Sequence, residues 1–221
     1  MTFGQLVTRG YVMGVIERKE REKELRSESI IDAAERIFFS KGFEHATMND
    51  VAEEAELSKG ALYLYFHSKN ELCMAILQRS LHILREIFEL LLNNKNLTGI
   101  KKISKLSKLF IAFSKEHPKY YTSLLSYREH RENCPVTGKI IKNTIKENKN
   151  INKIISDIIK MGQADNTIKK DIDADKLSLA LWGNFTGIMP SSILSEKATL
   201  NFNPEDIIKY HFELLINAIK T

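Results

Sequence analysis

The residues best suited to a chemical task lie between positions 47 and 72, and they carry hydroxyl and ammonium groups rather than a catalytic set. Ser58, Lys59, Tyr63 and Lys69 are donors or cations of the kind that contact phosphate oxygens and base edges in DNA. Gly60 lacks a side chain among them, although a glycine costs about 1 kcal/mol in a helix interior. We therefore predict that a DNA phosphate approaches this glycine closely.

Two short helices must position these groups. Thr47, followed three residues later by Asp50, fits a capping pattern at the start of the first helix. Ser58 caps the second helix, which Leu62 and Phe66 anchor inward at a spacing of four. A helix, a tight turn and a second helix form the layout of a helix-turn-helix DNA reader.

The run S-K-G-A-L-Y-L-Y-F that begins at Ser58 resembles the recognition-helix signature of the TetR family of one-component transcriptional regulators. Residues 30–38 and the Lys41-Gly42-Phe43 stop are similar to the family's first helix, so the resemblance extends from Leu25 to about Leu84. Glu56 stands where the family usually has glycine in the turn. If that turn needs a positive φ, glutamate adds strain of about 1 kcal/mol.

Each predicted DNA contact has a role. Thr47, Tyr63 and Lys69 are expected at phosphates, whereas the remaining side chains are expected near base edges or thymine methyls. The predicted DNA-binding residues are Thr47, Ser58, Lys59, Gly60, Ala61, Tyr63, Tyr65 and Lys69. The resemblance further implies a repressor that leaves a pseudo-palindromic, double-stranded operator when a small molecule binds.

Composition limits the other functions that the chain could have. The 221 residues include two cysteines, far apart and without a C-x-x-C pattern, so neither a disulfide framework nor a zinc finger is indicated. No apolar run is long enough to cross a membrane, and we expect a cytoplasmic protein with no membrane partner. Phosphate-binding and hydrolase motifs are absent from the sequence, so we expect neither an enzyme nor a cofactor.

The fold class predicted from the apolar periodicity is all-α, with a three-helix head joined to a C-terminal helical domain. We place a leader and a charged helix extension at 1–24, the DNA-binding domain at 25–84, and an effector-binding and dimerisation domain at 85–221. The first dozen residues fit no predicted element. Charges of alternating sign at 17–26 predict a solvated extension, which either frays or brings Arg18, Lys19, Arg21 and Lys23 to an adjacent DNA groove.

The last two predicted helices, at 175–189 and 204–219, are apolar on more than one face, which favours a homodimer formed through a four-helix bundle. Gly183 and Gly187 lie one turn apart and would let a partner helix pack closely. The predicted interface residues are Leu181, Gly183, Gly187, Ile208, Phe212 and Leu215. The alternative is that these helices are simply central to one large core. A dimer would place two recognition helices about 34 to 36 Å apart.

Large adaptable side chains in the C-terminal domain predict a pocket for a hydrophobic small-molecule effector, although ordinary core packing is the favoured explanation for each one taken singly. The candidates are Phe110, Phe113, Tyr121, Tyr127, Met161, Trp182, Phe185 and Met189.

Two other functions stay open at this point. His130 and Cys134, four residues apart near His117 and Glu129, would share a helix face and could sense a metal ion, although Pro135 disfavours continued helix there. The second alternative is an architectural DNA binder without an effector. Release from operator DNA by a ligand would separate a regulator from an architectural protein.

Overall fold

The computed structural model describes residues 3–121, 123–124, 138–195 and 204–221, and side-chain positions for 14–15, 17–121, 123–124, 138, 140–186 and 206–221. All regular secondary structure in the described residues is helical, apart from an isolated β-bridge between Ile168 and Lys220. The helices are α1 (Phe3–Lys41), α2 (Met48–Glu54), α3 (Lys59–Tyr63), α4 (Lys69–Leu92), α5 (Gly99–Glu116), α6 (Lys139–Ala164), α7 (Ala174–Ser195) and α8 (Pro204–Ile219). The all-α prediction is confirmed.

Helix α1 is long, with 39 residues, and it includes positions 3–12. The prediction that the first dozen residues fit no element is therefore wrong for these positions. Extending an existing helix gains one hydrogen bond for each residue fixed, whereas starting a helix fixes three residues for one bond, so the helix of the charged segment can propagate toward the N-terminus.

The chain divides into two compact units, residues 1–73 and 74–221, which we call the head and the body. The division falls inside α4, whereas the sequence placed the end of the head after residue 84. Within the head, α1 packs on α2 and α2 packs on α3. Ile30, Val51, Leu62 and Phe66 are buried there, and this apolar packing fixes α2 against α1 and α3 against α2.

The body is built from longer helices around a continuous apolar core, in which α6 packs against both α5 and α7. A close backbone approach lies between Gly99, the first residue of α5, and Gly162 near the end of α6. A Cβ added at Gly99 would lie 2.2 Å from both the Cα and the N of Gly162. Only hydrogen in place of a side chain lets the two backbones approach so closely.

The body's core corrects part of the predicted dimer interface. Leu181, Ile208 and Phe212 are at most 3% exposed within the single chain, so they are core residues of the body itself. Leu215 is half-buried against the same core. The sequence showed that α7 and α8 are apolar on more than one face, but it did not show which face turns inward. Gly183 is exposed, whereas the surroundings of Gly187 lie outside the described side chains.

Candidate nucleic-acid interface

The start of α2 is fixed by a closed capping box. The Thr47 side chain accepts a hydrogen bond from the Asp50 backbone N–H at 3.1 Å, and the Thr47 backbone N–H donates to Asp50 Oδ2 at 2.8 Å. The Thr47 hydroxyl also donates to Asp50 Oδ2 at 2.8 Å. A phosphate contact from this hydroxyl would therefore replace its bond to Asp50 Oδ2, because its single proton already has an acceptor, while the two bonds of the box could remain.

Asp50 also forms an ion pair with Lys41, whose Nζ lies 2.7 Å from Asp50 Oδ1. The hydrogen bond from Lys41, followed by those from Thr47, lowers the pKa of Asp50 to about 2. A second ion pair joins Arg36 of α1 to Glu54 of α2. The sequence analysis missed both pairs, since their partners are nine and eighteen residues apart and follow no helical spacing.

The turn between α2 and α3 has the geometry expected of a glycine position. Glu56 adopts φ 53°, so the expected positive φ is present with glutamate in place. Its N–H donates to Glu53 O at 3.0 Å, and the Leu57 N–H donates to Ala52 O at 2.8 Å. These two bonds form a Schellman motif, which satisfies carbonyls at the end of α2. The turn is therefore well formed and carries the strain of a non-glycine residue in the left-handed region.

Helix α3 is a single short turn that presents polar groups outward. The Ser58 side chain accepts from the Ala61 N–H at 3.2 Å, which leaves its own hydroxyl proton available to a ligand. Ser58, Lys59 and Gly60 are exposed, and Ala61 is half-buried. A Cβ at Gly60 would meet nothing within 4 Å, so no other part of the described chain requires glycine there.

Two aromatic residues near the end of α3 differ in their surroundings. Tyr63, its last residue, is 37% exposed. Tyr65 is half-buried and lines a groove beside α1, which sets it apart from the exposed side chains of α3. Leu64 between them is 76% exposed, a feature that the sequence analysis missed. The available signal was its position, which falls out of phase with the inward pair Leu62 and Phe66.

Lys69 already has partners within the head. Its Nζ donates to Phe43 O at 2.6 Å and to Glu44 O at 3.2 Å, and it lies 4.4 Å from the centroid of the Phe43 ring. An ammonium group has three donors, so at most one is left for a phosphate. The side chain therefore ties α4 to the loop after α1, whatever it does toward DNA.

In the body, several predicted effector-contacting side chains form an aromatic cluster. The Phe110 ring stacks on Phe185 with centroids 4.5 Å apart, and it meets Tyr121 edge-on at 6.1 Å. Phe185 also stacks on Phe212 at 5.1 Å. Phe113 is buried in the same core. The stacking distances show that these rings fill space against one another.

Two other pocket candidates have polar surroundings. Trp182 is 9% exposed, and its indole N–H donates to Asn148 Oδ1 at 3.1 Å. Met161 is 39% exposed, with its sulfur 3.7 Å from Lys102 Nζ, and its place in an apolar cavity stays a prediction. Its position near the end of α6 leaves one side open to solvent. Tyr127 and the side chain of Met189 lie outside the described residues.

Tyr121 differs from the other pocket candidates because its hydroxyl oxygen is buried and has no hydrogen-bond partner among the described residues. Burial raises the pKa of this phenol, since the charged form would lose its solvation. Nearby in sequence, Ser123 Oγ shares a 2.7 Å hydrogen bond with Ser80 Oγ, and both side chains are buried. An unpaired buried hydroxyl costs about 1 to 3 kcal/mol, so Tyr121 is the strongest polar candidate for an effector contact.

The described residues contain no candidate metal site, because no group of three or more His, Cys, Asp and Glu side chains among them is arranged to hold an ion. The predicted pair His130 and Cys134, together with Glu129, lies outside those ranges. Cys73 is described, and burial raises the pKa of its thiol to about 11. None of the described helices combines the length and the apolar character needed to cross a membrane.

Comparison with known proteins matches residues 30–76 to the family model described as bacterial regulatory proteins, tetR family. The chain is 45% identical over 64 residues to the HTH-type transcriptional regulator TtgR of Pseudomonas putida, which covers 29% of this chain and 30% of TtgR. It is 24% identical over 150 residues to the HTH-type transcriptional repressor KstR2 of Mycolicibacterium smegmatis, covering 68% of this chain and 71% of the relative. The chain thus spans less than a third of TtgR.

Among solved structures, the chain resembles the transcriptional regulator FadR of Bacillus subtilis in complex with stearoyl-CoA, with a TM-score of 0.63. The similarity covers 87% of this chain and 98% of the FadR chain at 19% identity, so it is evidence for the fold alone. The family model matches residues 30–76, and this segment contains α2, the turn at Glu56 and α3. Residues 30–76 of the chain, which form most of the head, thus match the tetR family of bacterial regulatory proteins.

Proposed function

We propose that the chain is a ligand-responsive regulator that binds a pseudo-palindromic operator as a homodimer and leaves it when a hydrophobic small molecule binds. The observation that carries this proposal is the outward face of α3. Ser58, Lys59 and Gly60 are exposed there, and nothing in the described chain fills the space above the glycine. A helix of this kind, held by a capped first helix and a tight turn, suits insertion into the major groove of DNA.

The DNA contacts divide by role. Tyr63 is proposed to donate to a phosphate, whereas Ser58 and Lys59 are the best candidates for reading base edges. Ala61 and Tyr65 are the weaker candidates, because both are half-buried. Thr47 and Lys69 support the interface mainly by holding the head together, since their polar groups already have internal partners.

Dimerisation is proposed through the outer faces of α7 and α8. Leu179 on α7 and both Tyr210 and Leu214 on α8 are between 53% and 63% exposed in the single chain. Gly183 is one turn after Leu179 and is also exposed, so a second helix could approach closely there. Apolar residues at a spacing of four form a continuous stripe, and burying such a stripe against a second copy is favourable.

The effector is proposed to combine an apolar body with at least one hydrogen-bonding group. The aromatic cluster of Phe110, Phe185 and Phe212 supports the apolar part, and the unpaired Tyr121 hydroxyl supports the polar part. The solved structures of FadR in complex with stearoyl-CoA and of the ketosteroid transcriptional regulator KstR2 of Mycobacterium tuberculosis make a fatty-acyl or polycyclic compound the first effector to test. The repressor KstR2 of Mycolicibacterium smegmatis makes repression the first mode of regulation to test.

The DNA part is tested by an electrophoretic shift on the DNA upstream of the protein's own gene, with a random duplex as competitor. We expect a specific complex. Tyr63→Phe should weaken binding to operator and random DNA alike, whereas Lys59→Ala should change the preference among operator sequences. Lys101→Ala, an exposed lysine of the body, is the matched control. Unchanged affinity in both head variants would refute the assignment of this face to DNA.

The effector part is tested by adding acyl-CoA, fatty-acid and polycyclic compounds to the preformed complex. We expect one class to dissolve it, and Tyr121→Phe to raise the concentration required by about tenfold, the effect of losing one hydrogen bond worth about 1.4 kcal/mol. Tyr120→Phe, the neighbouring half-buried tyrosine, is the control. Equal responses of the wild-type protein and the Tyr121 variant would remove Tyr121 from the site.

A further inference from the structure

The head contains an open groove of about 620 Å³ between the charged part of α1 and the residue Tyr65 that follows α3. Three cations, one carboxylate and two apolar side chains line most of it, namely Lys19, Lys23, Arg26, Glu22, Leu25 and Tyr65. The sequence analysis grouped Lys19 and Lys23 with Arg18 and Arg21. The structure instead places them beside Arg26, on the side of α1 that faces Tyr65.

The groove carries a positive surplus that is not neutralised from within. Lys19, Lys23 and Arg26 follow one another at spacings of four and three, so they lie on one face of α1. All three are exposed, and no described residue forms an ion pair with them. Glu22 is the carboxylate of the groove. Its Oε1 lies 3.9 Å from Arg18 Nε, so it forms an ion pair with Arg18.

The groove adjoins the surface that we assign to DNA. Tyr65 is two residues after Tyr63, the last residue of α3, and both belong to the head. Leu25 is 63% exposed and lies among the cations, so the surface offers apolar contact as well as charge. Phosphodiester backbone, with anionic oxygens and apolar sugar faces at regular intervals, matches both features.

We propose that this groove binds the phosphodiester backbone of the same DNA duplex that α3 reads. This inference rests on the proposed function, because it adds a second contact to the DNA-bound head. The contact is independent of sequence, so it strengthens binding to every duplex and makes that binding more sensitive to salt. Arg26, Lys23 and Lys19 are the residues that release counterions from the backbone.

The experiment measures fluorescence anisotropy of a random-sequence duplex with the full-length protein over a series of salt concentrations. We compare the wild type with K19Q/K23Q/R26Q. Each lost phosphate contact lowers the slope of log affinity against log salt by about 0.9, so we expect a decrease of about 2.7 for one bound head. K19R/K23R/R26K keeps the charges and should keep the slope. The body variant K101Q/K105Q/K108Q removes three exposed lysines at the same spacings.

The outcomes separate the two proposals. A wild-type slope in the body variant and the Arg/Lys exchange, with a reduced slope only in the groove variant, supports the contact. Equal slopes in the wild type and the groove variant overturn this inference and leave DNA binding by α3 intact. A wild-type protein that binds no duplex at any salt concentration overturns the proposed function, and this inference with it. Circular dichroism of each variant checks that the head is folded.

Discussion

The head and the body both contain glycines at critical positions, but they use them for opposite purposes. At Gly60 of the head an added Cβ would meet nothing within 4 Å, whereas at Gly99 of the body it would lie 2.2 Å from the backbone of Gly162. The glycine of the head leaves room for something outside the chain, and the glycine of the body makes room for another helix of the same chain. A glycine becomes evidence for a partner only when its own fold does not need it.

The two regions also end a helix in the same way with different residues. In the head, Glu56 occupies the left-handed position after α2 with φ 53°, and in the body Asn166 does so after α6 with φ 58°. The Thr167 N–H donates to Gly162 O at 2.9 Å, the counterpart of the bond from Leu57 to Ala52. Asparagine tolerates this conformation better than glutamate, so the head carries more backbone strain at its turn.

The largest expected difference between the head and the body is in the effect on stability of replacing Gly60 or Gly99 by alanine. Gly99→Ala forces a methyl group into the Gly162 backbone, and we expect it to lower the free energy of unfolding of the body by about 3 kcal/mol or more. Gly60→Ala should leave the stability of the head unchanged or raise it by up to about 1 kcal/mol, because alanine is the better helix former.

Chemical denaturation followed by circular dichroism measures both changes, and an electrophoretic shift then measures DNA binding by the Gly60 variant. That variant should be folded yet bind weakly, since the new methyl group occupies the space left for the phosphate. A loss of stability of similar size in both variants would contradict the distinction between the two glycines.

A second test compares the two left-handed positions. Glu56→Gly should stabilise the head by about 1 kcal/mol, because glycine adopts positive φ without the steric cost that glutamate bears. Asn166→Gly should change the stability of the body by less than half as much. Thermal unfolding of the two variants and the wild type gives the comparison. A larger gain at Asn166 would mean that the glutamate is not strained in its turn.

The smallest expected effect concerns pH and the capping box. Bonds from Lys41 and Thr47 lower the pKa of Asp50 to about 2, below that of an unfolded aspartate. The folded head therefore favours the charged form, and this stabilisation is present above about pH 4 and is lost as the pH falls toward 2. Asp50→Asn should destabilise the head at pH 7 and converge with the wild type at about pH 2.

Urea unfolding between pH 2 and pH 7 provides that measurement. Lys41→Met is the control. Removing the partner cation should raise the pKa of Asp50, so the stability should change over a narrower pH range, while the Thr47 cap stays intact. A difference between Asp50→Asn and the wild type that stays constant across the range would show that the carboxylate charge contributes nothing to the head.

The sequence predicted the head well because its determinants are local. Thr47 and Asp50 are three residues apart, Ser58 and Ala61 are also three apart, and the turn at Glu56 lies between them. The backbone N–H groups at the starts of α2 and α3 donate to side-chain oxygens three residues earlier, so residue types and spacing were sufficient to predict these caps. The assignment of Lys69 to a phosphate illustrates the limit, since its carbonyl partners are 25 and 26 residues earlier.

The body shows what only the tertiary structure decided. Thr98 precedes α5 as a typical cap residue, yet its side chain forms no cap, and the Gly99 N–H donates instead to Asp165 Oδ2, 66 residues away, at 2.7 Å. The orientation of Leu181, Ile208 and Phe212 into the core was likewise not readable from helices that are apolar on several faces. The sequence by itself determined the all-α fold class, the caps of α2 and α3 and the likeness of the head to the tetR family. Which apolar face turns inward depends on packing between distant segments, and only the assembled fold decides that.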